Sequence, residues 1–166
     1  MSALFRKLHP TVNVGSIFTY DFAAAYAAGK RLVLFDIDNT FVPHGAPADD
    51  KTKELIARLK EMGFSLYAIS NNKSPRVRKF CDAVDVPFIC KAGKPSGKGY
   101  REAMQRAGAA PAETIFFGDQ IFTDIWGANR AGIESILVRP IDLSTDEIQI
   151  RIKRLLEKPF RKAIRR

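Results

Sequence analysis

Between residues 31 and 138 the chain alternates short apolar runs with longer stretches whose apolar residues recur every three or four positions. The runs at 31–35, 64–69, 87–90, 114–117 and 133–138 predict five strands, the first of them a buried one. Residues 19–28 predict a short helix stopped by Gly29. A second helix opens at Asp49 or Asp50, places Leu55, Ile56, Leu59 and Met62 on one face, and closes at Gly63. Ser74 as N-cap and Pro75 behind it open a helix reaching residue 83. Residues 96–107 and 121–131 predict two more, ended by Gly108 and Gly132. The connections are too long for hairpins and suit right-handed parallel crossovers. The expected fold class is therefore α/β: a three-layer α/β/α sandwich on a mostly parallel sheet. No internal repeat, low-complexity tract or linker interrupts it.

The last helical stretch has a different character. Ser144-Thr145-Asp146-Glu147 fits a capping box, Ile148, Ile152, Leu155 and Leu156 follow at helical spacing, and Pro159 should break the pattern. Phe160 and Ile164 continue an apolar stripe among arginines. The net charge of +9 concentrates here: residues 151–166 hold eight basic residues and one acid, whereas the other 150 carry only +2. We expect a folded body at 1–143 and, as part of the same domain, a basic amphipathic tail at 144–166. The tail could contact an anionic membrane surface or, less well, nucleic acid. The plainer expectation is a terminal helix packed on the body with its basic face in water. A tail folded tightly over the strand ends would count against surface docking.

Composition narrows the class. A chain of 166 residues, 46% hydrophobic, can bury a real core and is neither disordered, collagen-like nor a disulfide scaffold. No run of 18 apolar residues occurs. Residues 1–14 include Arg6, Lys7, His9 and Pro10 and lack an apolar core, so no secretory leader is expected. Cys81 and Cys90 read as reduced, packed thiols of a cytoplasmic protein, one that could sit peripherally at the inner face of a membrane.

The candidate chemistry lies at the strand ends, where ligands gather in such sheets. There stand Asp36-Ile37-Asp38-Asn39-Thr40, Ser70-Asn71-Asn72, Lys94 and Gly118-Asp119, with Asp124 five residues on. Carboxylates so concentrated repel one another unless a cation sits among them, and oxygen ligands of this kind suit Mg²⁺.

These four ordered motifs, D-x-D-x-T, a strand-end Ser, a Lys and G-D-x(4)-D, resemble those of haloacid-dehalogenase (HAD) superfamily phosphatases. Gly-Asp-Gln-x-x-Thr-Asp with Gly127, Asn129 and Gly132, together with Ser-Asn-Asn, is similar to the YqeG-type class III phosphatases, distant relatives of mitochondrial phosphatidylglycerophosphate phosphatases. The resemblance implies a phosphomonoester substrate and an aspartyl-phosphate on Asp36, with Asp38 as acid and base and Lys94 neutralising charge. It implies Mg²⁺ held by Asp36, the main-chain carbonyl of Asp38, and Asp119. Thr40, Ser70, Asn71 and Asn72 would face substrate, Thr40 also tying down the loop that carries Asp38. Asp124 would support Lys94 or the metal's waters.

Only 29 residues separate Thr40 from Ser70 and 21 separate Asn72 from Lys94, too few for an inserted lid. An open site suits a large or lipid-linked substrate, phosphatidylglycerophosphate foremost, or a small phosphate enclosed by a second subunit of an oligomer. Soluble sugar or nucleotide monophosphates are the alternative substrates; a phospho-accepting receiver domain and a nucleic-acid scaffold with a silent site are the alternative functions. His44 lies in the loop after the first motif, which the resemblance places beside the substrate, although an exposed loop histidine is more often inert. Arg130 could reach an anionic substrate, a helix-surface ion pair being the plainer expectation. Trp126 and Phe122, one turn apart, read as core or a partner-facing patch.

Overall fold

A computed structural model describes residues 3–164; Arg165 and Arg166 of the tail lie outside that range. Among the described residues the elements run α1 (Ala3–Leu8), β1 (Val12–Asn13), α2 (Phe22–Ala27), β2 (Leu32–Phe35), α3 (Asp50–Glu61), β3 (Ser65–Ile69), α4 (Ser74–Val84), β4 (Phe88–Ile89), α5 (Lys98–Ala107), β5 (Thr114–Gly118), α6 (Trp126–Ala131), β6 (Glu134–Leu137) and α7 (Ile148–Ile164). All strand pairs are parallel, in the order β1-β6-β5-β2-β3-β4. The five expected strands are present. β1 is an addition, two residues paired to Ile136 and Leu137 at the sheet's edge.

β2 lies between β3 and β5, with Phe35 level with Ala68 and Phe117. Successive side chains of a strand point to opposite faces. Val33 and Phe35 accordingly join Leu55, Leu59, Val77 and Phe80 in one core, while Leu32 and Leu34 join Tyr100, Met104 and Ala128 in the other. The chain leaves β2 toward β3 and β4 on one side and returns to β5 and β6 on the other. Such a reversal opens a crevice at the carboxyl ends of the strands, and the site forms there.

Several local expectations need correction. Lys73, not Ser74, occupies the N-cap of α4, and Pro75 is its second residue. The predicted helix over 19–28 is a 3₁₀ turn followed by α2, capped by the Asp21 carboxylate. Residues 121–125 form a π turn before α6. The capping box is absent: Asp142 caps a short 3₁₀ turn, accepting from Ser144 N–H, and α7 begins at Ile148. Pro159 does not stop α7, because it lies on the outer face, where the Leu155 carbonyl it leaves unbonded can tilt toward solvent.

The orientation of α7 is also reversed. Glu157, Arg154 and Arg161 face the body, while Ile148, Ile152, Leu155 and Leu156 are 55–70% exposed. Its C-terminal end packs Phe160 edge-on to Phe122, beside Ile121, Ile125 and Leu137. No helix among the described residues is long and apolar enough to cross a membrane.

Candidate active site

Asp36 extends β2 by one residue, its N–H bonded to the Phe117 carbonyl at 2.9 Å. The chain then turns sharply. Asn39 adopts φ +61°, a left-handed conformation Asn tolerates, and the N–H groups of Thr40 and Phe41 return to the Ile37 carbonyl. This turn presents Asp38, whose carboxylate accepts from Gly45 N–H (2.9 Å), Arg76 Nη2 (2.8 Å) and Asn72 Nδ2 (2.5 Å).

On the neighbouring strand, the π turn after β5 carries Asp124 back beneath Asp119. Asp124 Oδ2 accepts the N–H groups of Asp119 and Gln120 at 3.1 and 3.0 Å. Its Oδ1 lies 2.6 Å from Lys94 Nζ, which also lies 2.6 Å from Asp36 Oδ1. Gly118 is required for this approach: a Cβ there would lie 2.5–2.7 Å from Asp124 side-chain atoms. The loop bearing Lys94 is registered by Asn71, whose side chain accepts from Lys94 N–H and donates to the Lys94 carbonyl. Ser70 Oγ accepts Asn72 N–H at 3.1 Å, which leaves its O–H to donate into the pocket.

Electrostatics here are dominated by burial. Desolvation lifts the Asp36 carboxyl well above the usual carboxylate range; Lys94 opposes the rise, and Asp124, Asp119 and Asp38 add to it. Burial works against the Lys94 charge, yet Asp124 and Asp36 hold its ammonium well above the usual lysine range. Asp119 is fully buried and raised to about 7 by desolvation, although Arg154 pulls the other way.

One oxygen of each of Asp36, Asp119 and Asp124 lies within 4.8 Å of the others. Among the described residues, Asp119 Oδ1 is buried without a hydrogen-bond partner. A buried carboxylate oxygen left unpaired is costly, so this arrangement fits a divalent cation.

The other oxygen of Asp119 is occupied from α7. Arg154 Nη2 lies 2.5 Å from Oδ2, and the same guanidinium pairs with Asp146. Asp146 in turn accepts from Asn39 Nδ2 at 2.7 Å, which ties the turn after β2 to the C-terminal segment. Arg161 bonds the Asp119 carbonyl, and Glu157 Oε1 accepts Phe122 N–H at 2.9 Å.

The pocket is about 240 Å³. Asp36, Asp38, Ser70, Asn71, Asn72 and Lys94 line it, and His44, Gln149 and Lys153 close its outer side. His44 stands where its loop was expected to lie, at the site, with Nδ1 3.8 Å from Asp38 and Nε2 3.6 Å from Glu147. Two placements differ from expectation. Thr40 does not line the pocket; it is buried, and its hydroxyl has no partner among the described residues. Arg130 stacks over Trp126 rather than forming an ion pair at the helix surface. Arg76, Arg154, Asp146 and Asn39 were not singled out from sequence. A faint signal existed for Arg76, two residues past the start of a helix that opens at the strand end.

The sequence profile of the haloacid dehalogenase-like hydrolases matches residues 41–132. The chain is 35% identical over 135 residues to "Probable phosphatase YqeG" of Bacillus subtilis, covering 81% of this chain and 78% of that protein. The chain belongs to the haloacid dehalogenase-like hydrolases. The family and its phosphatase members similar to this chain make it an enzyme of the phosphatase type. It is also 26% identical over 159 residues to the chloroplastic phosphatidylglycerophosphate phosphatase 1 of Chlamydomonas reinhardtii, covering 89% of this chain but only 59% of that protein. Among solved structures, the cobalt-bound deoxy-D-mannose-octulosonate 8-phosphate phosphatase of Haemophilus influenzae superposes with a TM-score of 0.55 at 14% identity, over 67% of this chain and 69% of that one, a likeness of fold.

Proposed function

We propose that this hydrolase cleaves phosphomonoesters through an aspartyl-phosphate on Asp36, with Mg²⁺ as its cation and a lipid-linked substrate, phosphatidylglycerophosphate foremost. The observation that carries the reading is the Asp36–Lys94–Asp124 chain of 2.6 Å contacts beside the unpartnered oxygen of Asp119. Similarity to the algal phosphatidylglycerophosphate phosphatase supports the substrate class.

In the first step an Asp36 carboxylate oxygen attacks phosphorus while the bond to the substrate's leaving oxygen breaks. Asp38 supplies that oxygen with a proton, which requires its present acceptor contacts to be exchanged for one O–H donor. In the second step Asp38 takes a proton from water, the water oxygen bonds to phosphorus, and Asp36 departs as carboxylate with release of inorganic phosphate. The three donors now on Asp38 fit this second role. Lys94 and the Ser70 hydroxyl face the phosphoryl oxygens as charge spreads over them. A divalent cation held by Asp36, Asp119 and the main-chain carbonyl of Asp38 would neutralise the carboxylates against the incoming phosphate, and all-oxygen ligands suit Mg²⁺.

The test is Asp36→Asn. Turnover of an aryl phosphate should fall at least roughly a thousandfold with the thermal midpoint retained. Mass spectrometry of quenched wild type should find an adduct of about 80 Da on the peptide carrying Asp36. A variant that keeps most of its activity would remove Asp36 from the reaction.

A further inference from the structure

The outward face of α7 is apolar where a surface helix is normally polar. Residues at i, i+4, i+7, i+8, i+11 and i+15 from Ile148 share one stripe at about 100° per residue: Ile148, Ile152, Leu155, Leu156, Pro159 and Ala163. The first four are 70, 55, 60 and 59% exposed. Leu143, 52% exposed, faces Leu155 across a shallow groove that Arg151 and Lys158 also line. The same spacing puts Arg151, Lys158 and Lys162, all exposed, along one edge of the stripe, and exposed Gln149 and Lys153 along the other. Within α7 the one acid, Glu157, is buried on the inward side.

We infer that this face docks on an anionic lipid bilayer, with α7 lying in the plane of the interface. An aliphatic stripe bordered by cations is what that boundary accommodates: side chains enter the acyl region while the lysines and arginines meet lipid phosphates. A second copy of the chain fits poorly. Packing two such stripes together would also bring their basic edges together, and Glu147, an exposed acid just before the helix, is too little to offset them. Nucleic acid fits poorly too, because the centre of the stripe is aliphatic and offers no stacking surface. Although α7 folds across the strand ends, its charged face makes those contacts, and the apolar face remains available.

Docking would set the pocket at the membrane surface, since Gln149 and Lys153 form both the edge of the stripe and the rim of the site. A phosphorylated headgroup could then enter while its acyl chains stay in the bilayer. That last consequence rests on the phosphatase reading; the docking does not.

The experiment floats the full chain with vesicles of phosphatidylglycerol and phosphatidylcholine, against vesicles of phosphatidylcholine alone. Wild type should bind the anionic vesicles at least tenfold more tightly than the neutral ones. The double variant Ile152→Glu/Leu156→Glu should lose at least tenfold of that binding, while hydrolysis of a soluble aryl phosphate stays within twofold. Failure of wild type to float, or equal flotation of the variant, would overturn the inference. So would sedimentation showing a wild-type dimer that the variant converts to monomer. Flotation without turnover of any phosphomonoester would support docking and dispose of the phosphatase reading alone.

Discussion

Asp119 is fully buried, and one of its oxygens meets a guanidinium supplied 35 residues later in the chain. Removing one partner of such a pair leaves an uncompensated buried charge. Arg154→Ala should therefore lower stability by about 3–5 kcal/mol, measured by denaturant unfolding without metal. Added Mg²⁺ should raise the thermal midpoint of this variant by more than it raises that of wild type, because a bound cation supplies Asp119 with the positive charge it has lost. Equal shifts would show that Arg154 and the cation do not share that carboxylate. This pairing also marks how far single residues could be read from sequence. Asp36, Asp38, Ser70, Lys94, Asp119 and Asp124 stand in short motifs at strand ends, so the sheet alone brings them together. Arg76 reaches Asp38 across 38 residues and Asn39 reaches Asp146 across 107, and no local spacing encodes either contact.

At the level of elements, five strands were legible because each is a bounded apolar run, whereas β1 is two residues long and its pairing with β6 leaves no periodicity to detect. For α7 the periodicity was legible and the orientation was not. An apolar stripe ordinarily faces the core, but here the inward positions carry Arg154, Glu157 and Arg161, whose partners are Asp119, Asp146 and the Phe122 N–H. Only the tertiary fold reveals that these acids need a cationic helix. The helix is consequently part of the site rather than an appendage. A chain ending after Leu143 should lose at least roughly tenfold in kcat/KM on a soluble aryl phosphate and melt lower, since Asp119 and its neighbours lose their partners. The outward-face variant Ile152→Glu/Leu156→Glu should do neither. Full activity in the truncated chain would separate α7 from the chemistry.

For the molecule as a whole, the site sits at the switch point of a sheet with no inserted lid, and its pocket of about 240 Å³ is smaller than the roughly 300–1,000 Å³ of pockets that enclose a drug-sized ligand. It can surround a phosphoryl group and the atoms next to it. The rest of a substrate must stay outside, against His44, Gln149 and Lys153. Binding energy from groups remote from the phosphate can be used to orient the reacting bond only if something outside the pocket holds them. On the lipid-linked reading proposed above, a soluble glycerol or sugar phosphate would make few of those contacts, whereas a phosphorylated lipid presented by a bilayer would make them. We therefore expect kcat/KM for phosphatidylglycerophosphate in mixed micelles to exceed that for glycerol 3-phosphate by at least roughly a hundredfold, about 2.7 kcal/mol of transition-state stabilisation. The comparison holds the Mg²⁺ concentration and the protein preparation fixed, with released phosphate as the common readout. Lys153→Ala should reduce the lipid value and leave the glycerol phosphate value within twofold, because this side chain lies on the rim rather than against the reacting atoms. Equal values for the two substrates in wild type would instead favour a phosphatase of soluble monophosphates, selected by the phosphoryl site alone.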